Sequence, residues 1–252
     1  MTKETLYNYT LHLADNALIL AQRNSEWCGH GPVLEQDIAI TNISLDLIGQ
    51  ARSLYQYAAT LIDGAANEDT LAYLRDTRDY KNCLLVEQPN GDWAQTILRQ
   101  FFFSTYQFFL YQRLQQSTDA TLAAIAEKSL KEVTYHVRWS SEWVIRLGDG
   151  TEESHDRLLN ALDELWMFTG ELFIPVPYES DAVKAGIGVD VSALKATWEQ
   201  RVNEIFEEAT ISMSTTSSWM QSGGKEGVHT EHMGFILAEM QYMQRVYPGC
   251  EW

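Results

Sequence analysis

From Val33 to Asp63 the sequence runs without a proline and with a single glycine, Gly49. Read as one helix, this stretch is about 45 Å long and apolar on most sides. Ile48, Ala51, Tyr55, Ala58 and Ile62 form one stripe at steps of three and four, and Ile43, Leu47, Leu54 and Leu61 form another. Only Asn42, Asp46, Gly49 and Ser53 remain as a narrow polar strip. A helix that apolar must be covered on several faces, so other helices, or a partner, have to pack around it. Gly64 is placed to end it in a left-handed cap.

The rest of the chain supplies such helices. Leu6, Tyr9, Leu13, Ala17 and Leu20 recur at helical spacing, which predicts a first helix from Lys3 to about Gln22 with Thr2 at its cap. Trp27, Cys28, two glycines and Pro32 mark the loop that follows. Ala65–Asp92 reads as a connector with a short helix near Thr70–Arg75, an irregular piece at Asp76–Lys81 and a turn at Pro89-Asn90-Gly91. Asp92 caps a third helix, Trp93 to about Gln115. Its aromatic positions between Phe101 and Phe109, with Leu110, place it in a core packed on several sides. Asp119 caps a fourth helix that stops at Gly148, with Trp139 and Trp143 one turn apart on its flank, facing a partner or another helix of the same chain. A fifth helix from Glu152 to about Thr169, a loop through Pro175, Pro177, Gly186 and Gly188, and a sixth helix capped by Ser192 follow. Thr210–Gly227 reads as a polar surface loop, and a last helix starts at Thr230 and ends before Pro248. No strand alternation and no fixed-period repeat appears. The expectation is an all-α chain in which residues 1–252 form one domain, with four long core helices and further helices toward the C-terminus.

Charge narrows what such a chain does. Acidic residues outnumber basic ones 35 to 18, for a formal net charge of −17. A chain so acidic repels nucleic acid and anionic membrane, whose binding depends on local Lys and Arg. Cys28, Cys83 and Cys250 are far apart and odd in number, without a CxxC pair, as in a reduced cytoplasmic protein. The N-terminal sequence lacks a basic start followed by an apolar block, and no stretch has the ~20 apolar residues that span a bilayer. The expected location is the cytoplasm.

The fourth helix carries the residues closest to a metal motif. Glu132 and His136 lie one turn apart, nearly the Glu-x-x-His pair with which a four-helix bundle holds two iron ions. The frame is off by one: with His136 as ligand, Val133 stands at the carboxylate position, and with Glu132 as ligand, Tyr135 stands at the histidine position. Such a centre also needs a carboxylate from each of two helices and a second Glu-x-x-His, because carboxylates bridge and neutralise the hard ions. The first helix offers Asp15, a shorter arm than Glu. The second offers Asp46-Leu-Ile-Gly49, with glycine where histidine should stand. The third offers nothing, as no acid lies between Asp92 and Asp119. No bridging set survives, so no metal and no other cofactor is expected in this chain, and His136 reads as a hydrogen-bonded helix histidine. His229 and His232, three apart, lack an obvious third ligand. Neither a GxSxG elbow nor a GxxxxGK[ST] loop occurs.

Two segments carry a more specific signal in combination. Leu34–Ala58 (LEQDIAITNISLDLIGQARSLYQYA) and Lys131–Ser154 (KEVTYHVRWSSEWVIRLGDGTEES), with the PVPYE segment Pro175–Glu179, resemble the family of non-catalytic C subunits of bacterial phenylacetyl-CoA epoxidase, the ring monooxygenase of phenylacetate degradation. The resemblance extends over essentially the whole chain. It implies a ferritin-like four-helix bundle with a degenerate ligand set. It also implies a sister subunit, built alike, that carries the di-iron centre and that this chain pairs with and stabilises. The missing ligands fit that role, and no catalytic residue carries over. A metalloenzyme with unusual ligands and a free-standing helical binding protein are the rival readings.

Because the resemblance implies a coenzyme A thioester as the partner's substrate, the chain's cations become candidates for its phosphate end. Arg75-Asp76-Thr77-Arg78-Asp79, with Lys81, places three cations in an irregular turn, where arginine forks and backbone amides suit phosphate. Pro177-Tyr178-Glu179 is a second candidate, with Tyr178 available to stack on adenine. The plainer alternative is that Arg75 and Arg78 pair with Asp76 and Asp79 on a solvated surface, where each pair contributes about 0–1 kcal/mol.

Overall fold

The structure is a computed structural model that describes residues 3–212 and 219–250. In chain order its α-helices are α1 (Lys3–Ser25), α2 (Leu34–Thr60), α3 (Glu68–Tyr73), α4 (Leu84–Glu87), α5 (Trp93–Leu114), α6 (Ala120–Gly148), α7 (Glu152–Leu165), α8 (Pro177–Lys184), α9 (Lys195–Glu208) and α10 (Glu231–Val246). Short 3-10 turns join several of them, and no strand occurs among the described residues. The chain is all-α and of the ferritin-like class that its sequence predicts. None of its described helices is long and apolar enough to cross a membrane.

Two compact units are present. The first comprises residues 1–87, 176–185 and 223–252, and the second comprises 88–175 and 186–222. In the first unit α1 is the central helix. Every residue from Tyr9 to Ala21 is buried, on all sides of the helix, under α2, α4, α8 and α10. The sequence pattern assigns α1 only one inward face, because His12, Asp15 and Asn16 are polar. They are nevertheless 1%, 0% and 3% exposed. Each is satisfied by a segment far along the chain: Asn16 Oδ1, for instance, accepts the Cys83 N–H at 2.8 Å. Thr2, expected at the cap of α1, lies outside the described residues.

The reverse correction applies to α2. Ile43, Leu47, Ala51, Leu54, Tyr55 and Ala58 are buried as the stripes predict. Leu34, Ile38, Leu45 and Ile48 are not, at 71%, 52%, 59% and 41% exposed, and they lie at helical spacing along one open face. The helix also ends earlier than Asp63: it stops at Thr60, closed by the Leu61 N–H on Ala58 O, and Gly64 takes its positive φ of 114° in the turn beyond. The connector holds α3, capped by the Asn67 side chain on Thr70 N, and a helical turn at Leu84–Glu87 that the sequence pattern does not reveal.

In the second unit α5 is covered on nearly every side, with Phe101, Phe102, Phe103 and Tyr106 buried. Phe102 meets Trp198 at 5.5 Å and Phe206 at 6.1 Å between ring centroids, and the Trp198 indole N–H donates to Phe102 O at 3.0 Å. Trp139 and Trp143 turn to their own chain: both pack edge-on against Trp93, at 6.0 and 5.7 Å. Asp92 and Asp119 cap α5 and α6 as expected, by accepting from Gln95 N and from Thr121 N and Leu122 N. Helix α6 ends where it passes the end of α9, and a Cβ on Gly148 would lie 2.2 Å from Ala209 O. Three local expectations need correction. The predicted fifth helix ends at Leu165 and continues as 3-10 turns to Phe173. Asp190, not Ser192, supplies the cap before α9, by accepting from Ser192 N at 3.1 Å. The stretch expected as a proline-rich loop contains α8 in the first unit, with Pro177 in its first turn, where the missing N–H costs nothing. Of the polar segment Thr210–Gly227, residues 213–218 lie outside the described residues.

Candidate functional site

Asp15 is the one interior carboxylate of α1, and it is fully buried. Its Oδ1 accepts from the Tyr55 hydroxyl at 2.5 Å and from Arg75 Nη2. Its Oδ2 accepts from Arg75 Nη1 at 3.0 Å and from the Lys81 N–H at 2.8 Å. Arg75 is held in turn by Leu71 O and Asp79 O, and its guanidinium lies 4.2 Å from the Tyr80 ring centroid. Burial works against charge on Arg75, but Asp15 overcomes it and the guanidinium stays charged, with its pKa raised. Burial, and then Asp15, push the Tyr55 phenol well above its usual value, so it remains a donor.

This arrangement answers whether the residues fit a di-iron centre. The Asp15 carboxylate has no lone-pair direction left for a metal, because four donors converge on its two oxygens. On α2, Asp46 and Gly49 are half-buried, and a Cβ at Gly49 would meet nothing within 4 Å, so no side chain stands at the histidine position. On α6, Val133 and His136 are buried, Glu132 is half-buried, and the His136 ring lies against Tyr135 at 6.4 Å. No group of three His, Cys, Asp or Glu among the described residues is arranged to hold a metal ion. The donor set does not fit the two irons that such a bundle otherwise holds.

Two further buried carboxylates in the first unit are answered in the same way. Glu87 accepts from His229 Nδ1 at 2.8 Å and Asn82 Nδ2 at 2.9 Å on one oxygen, and from Thr230 N–H and hydroxyl at 2.6 and 2.7 Å on the other. Thr230 thus stands at the start of α10, as predicted, but its side chain serves Glu87 rather than the helix end. Burial opposes a charge on His229, yet Glu87 and the Tyr80 carbonyl outweigh it and its pKa is raised. Glu179 accepts from Lys225 Nζ at 3.1 Å and from the Val176 N–H at 3.0 Å. His12 lies 3.5 Å from Glu179 and donates through Nδ1 to Lys81 O at 2.7 Å. Burial dominates there and lowers the His12 pKa, which keeps the ring neutral.

The segments singled out as phosphate candidates divide sharply. Arg75 points inward to Asp15. Asp76 pairs with Arg245 at 2.9 Å, and Asp79 closes the Thr77–Asp79 turn by accepting from Asp76 N at 3.0 Å. Arg78 is exposed. Glu179 is buried under Lys225. Lys81, Pro177 and Tyr178, by contrast, come together and line one cavity of about 390 Å³ with Lys225, Glu4 and Asp181. The Lys81 ammonium lies 5.4 Å from the Tyr178 ring centroid, and the Tyr178 hydroxyl donates to Lys225 O at 3.0 Å. Sequence reasoning misses the three long-range pairs. Their one visible signal is polar residues at interior helical positions, His12, Asp15 and Asn16 among them.

Removing one partner of a buried pair strands the other charge, at a cost of about 3–5 kcal/mol. Arg75→Met is therefore expected to lower unfolding free energy by about that amount in urea titration. Adding Asp15→Asn, which keeps an acceptor for the Lys81 N–H and turns its amide N–H toward the Tyr55 hydroxyl oxygen, should recover part of the loss. Equal losses in the single and double variants would show that charge is not the cause. The His229–Glu87 contact predicts a pH dependence. The folded pKa of His229 lies above the ordinary 6.5, so its stabilisation is complete below pH 6.5 and disappears as pH rises through the raised value. The stability gap between the native chain and His229→Gln should be widest in mild acid and narrow in alkali, as followed by urea midpoints across pH.

The full length, residues 1–252, matches the family described as phenylacetic acid catabolic protein. A curated relative from Escherichia coli (strain K12), the C subunit of 1,2-phenylacetyl-CoA epoxidase, is 50% identical over 244 residues, which cover 97% of this chain and 98% of the relative. Likeness of that extent, on a ferritin-like helical chain with Gly49 and Val133 where a metal centre would need ligands, leads to one assignment: the chain belongs to the phenylacetic acid catabolic protein family.

Proposed function

We propose that this protein is the C subunit of a phenylacetyl-CoA epoxidase and works in phenylacetate catabolism in the cytoplasm. In this role residues 1–252 act as one ferritin-like domain. The chain is non-catalytic and holds no cofactor. It pairs with and stabilises a homologous subunit that carries the di-iron centre. The observation that carries the proposal is the Asp15–Arg75 pair: the carboxylate that a metal would need is neutralised by the chain's own guanidinium. The 50% identity to a C subunit along nearly its whole length supports the same role.

The partner needs a surface. The two most apolar long helices are α2 and α5. Of these, α5 is covered within its own unit, whereas α2 leaves Leu34, Ile38, Leu45 and Ile48 open. We assign that face to the sister subunit. An obligate pair of this kind buries about 2,000 Å² or more and is more apolar than a transient one. The native chain should co-elute with the sister subunit in gel filtration at micromolar concentration, with iron remaining in the sister chain after the two are separated. Ile38→Glu with Leu45→Glu should abolish co-elution while leaving the circular dichroism spectrum unchanged. Independent elution of the native chains would refute the pairing.

For the thioester, the cavity beside Tyr178 is the place of contact. Tyr178 offers a ring face for adenine, and Lys81, with the exposed Arg78 on the neighbouring turn, offers charge to phosphate. In the assembled complex, Arg78→Ala and Lys81→Ala should each raise the apparent KM for the thioester with little change in kcat, the signature of lost uniform binding. An unchanged KM in complexes that still assemble would leave the chain a purely structural role.

A further inference from the structure

A second cavity, of about 470 Å³, lies wholly within the second unit, between α5, α6 and α9. Its walls are mainly apolar, with Phe108, Phe109, Val137, Ile145 and Ile205 among them. Three hydroxyl residues also line it: Thr134, whose hydroxyl donates to Leu130 O at 2.6 Å, and two more, Thr105 on α5 and Ser141 on α6. Thr105 and Ser141 are 1% and 4% exposed, and neither of their hydroxyls has a hydrogen-bond partner among the described residues. A buried hydroxyl is normally paired, and an exception calls for an explanation. The hydroxyls of Ser104 and Ser140 meet at 3.3 Å and fix the register of the two helices, which brings the next residue of each to the same cavity. Charges at the lining cancel: Arg138 and Arg201 stand with Glu142 and Glu208, and Arg201 is already paired with Glu204 at 3.3 Å. The volume falls in the range of small-molecule sites, which combine apolar walls with a few placed polar groups.

We propose that this cavity binds a neutral, largely apolar small molecule of the aromatic alcohol class, whose one polar group pairs with the hydroxyls of Thr105 and Ser141. The two hydroxyl oxygens are themselves buried, and in the proposed complex a change of χ1 rotamer turns them to the ligand. The balanced lining gives no preference for an anion, which separates this ligand class from carboxylates. The site is independent of the thioester contact in the first unit and of the open face of α2.

Saturation-transfer NMR on the full chain, alone and with the sister subunit bound, tests the proposal with three probes: benzyl alcohol, toluene and benzoate. Benzyl alcohol should bind saturably, toluene more weakly, and benzoate not at all. Thr105→Val and Ser141→Ala should each weaken benzyl alcohol by about tenfold, the worth of one hydrogen bond, and leave toluene unchanged. Thr105→Val should not lower the melting temperature, since no partner is lost. Val137→Phe, which fills the cavity, should abolish binding of both neutral probes in a chain whose circular dichroism is native. Absence of saturable benzyl alcohol binding, equal binding of benzoate, or binding that survives Val137→Phe would overturn the assignment. Binding lost whenever the sister subunit is present would also overturn it and make the cavity a protein contact.

Discussion

A carboxylate at the centre of a helix buried on all sides has to be neutralised, and in this protein the first unit is organised around how that is done. Asp15 is met by Arg75, which lies 60 residues further along the chain. Bringing Arg75 inward fixes the α3 segment and the turn after it. It also places Tyr80 against the guanidinium and delivers the Lys81 N–H to the same carboxylate. Glu87 and Glu179 repeat the logic, with His229 and Lys225 arriving from the far C-terminal stretch. Buried ion pairs are weak evidence of net stability, because desolvation offsets much of the attraction. Their effect is felt when one member is missing: in this packing each remaining charge is left unpaired in the core.

That choice also bears on chemistry. In a ferritin-like bundle that holds two irons, the carboxylates are neutralised by metal, and the metal brings redox reactivity with it. A guanidinium neutralises the same kind of carboxylate through five N–H donors, cannot change oxidation state and cannot bind oxygen. In this chain the buried carboxylate of α1 is neutralised by a covalently tethered cation. The open apolar face of α2 takes no part in this neutralisation.

Much of the architecture can be read from the sequence, for identifiable reasons. Asp92 and Asp119 announce α5 and α6 because a capping carboxylate followed by an apolar run has few other uses. The missing ligands are equally plain, since a glycine at position 49 and an acid-free α5 need no structure to interpret. The roles of α1 and α2, by contrast, are the inverse of what their patterns suggest. Periodicity treats His12, Asp15 and Asn16 as an outward face, and it has no means of knowing that Arg75, Lys81, Cys83 and Glu179 will satisfy them. It likewise puts Ile48 in an inward stripe of α2, whereas Ile48 stays open. Arg75 reads as a surface cation for the same reason: its partner is distant in sequence. The second cavity leaves no signature, because Thr105 and Ser141 are ordinary helix residues until their neighbours are placed.

The first unit is assembled from three stretches, the last of which begins at residue 223. A ribosome makes the chain from its N-terminus, so α1, α2 and α4 emerge long before Lys225 and His229 exist. Until then Glu87 has no imidazole to meet, and Glu179, once made, has no ammonium. The N-terminal helices can pack around the Asp15–Arg75 pair, whose members both lie in the first stretch, but two of the unit's three paired buried carboxylates have no partner until the C-terminal stretch is made. A chain cut short before residue 225 therefore leaves Glu87 and Glu179 without the partners that answer them in the full-length protein.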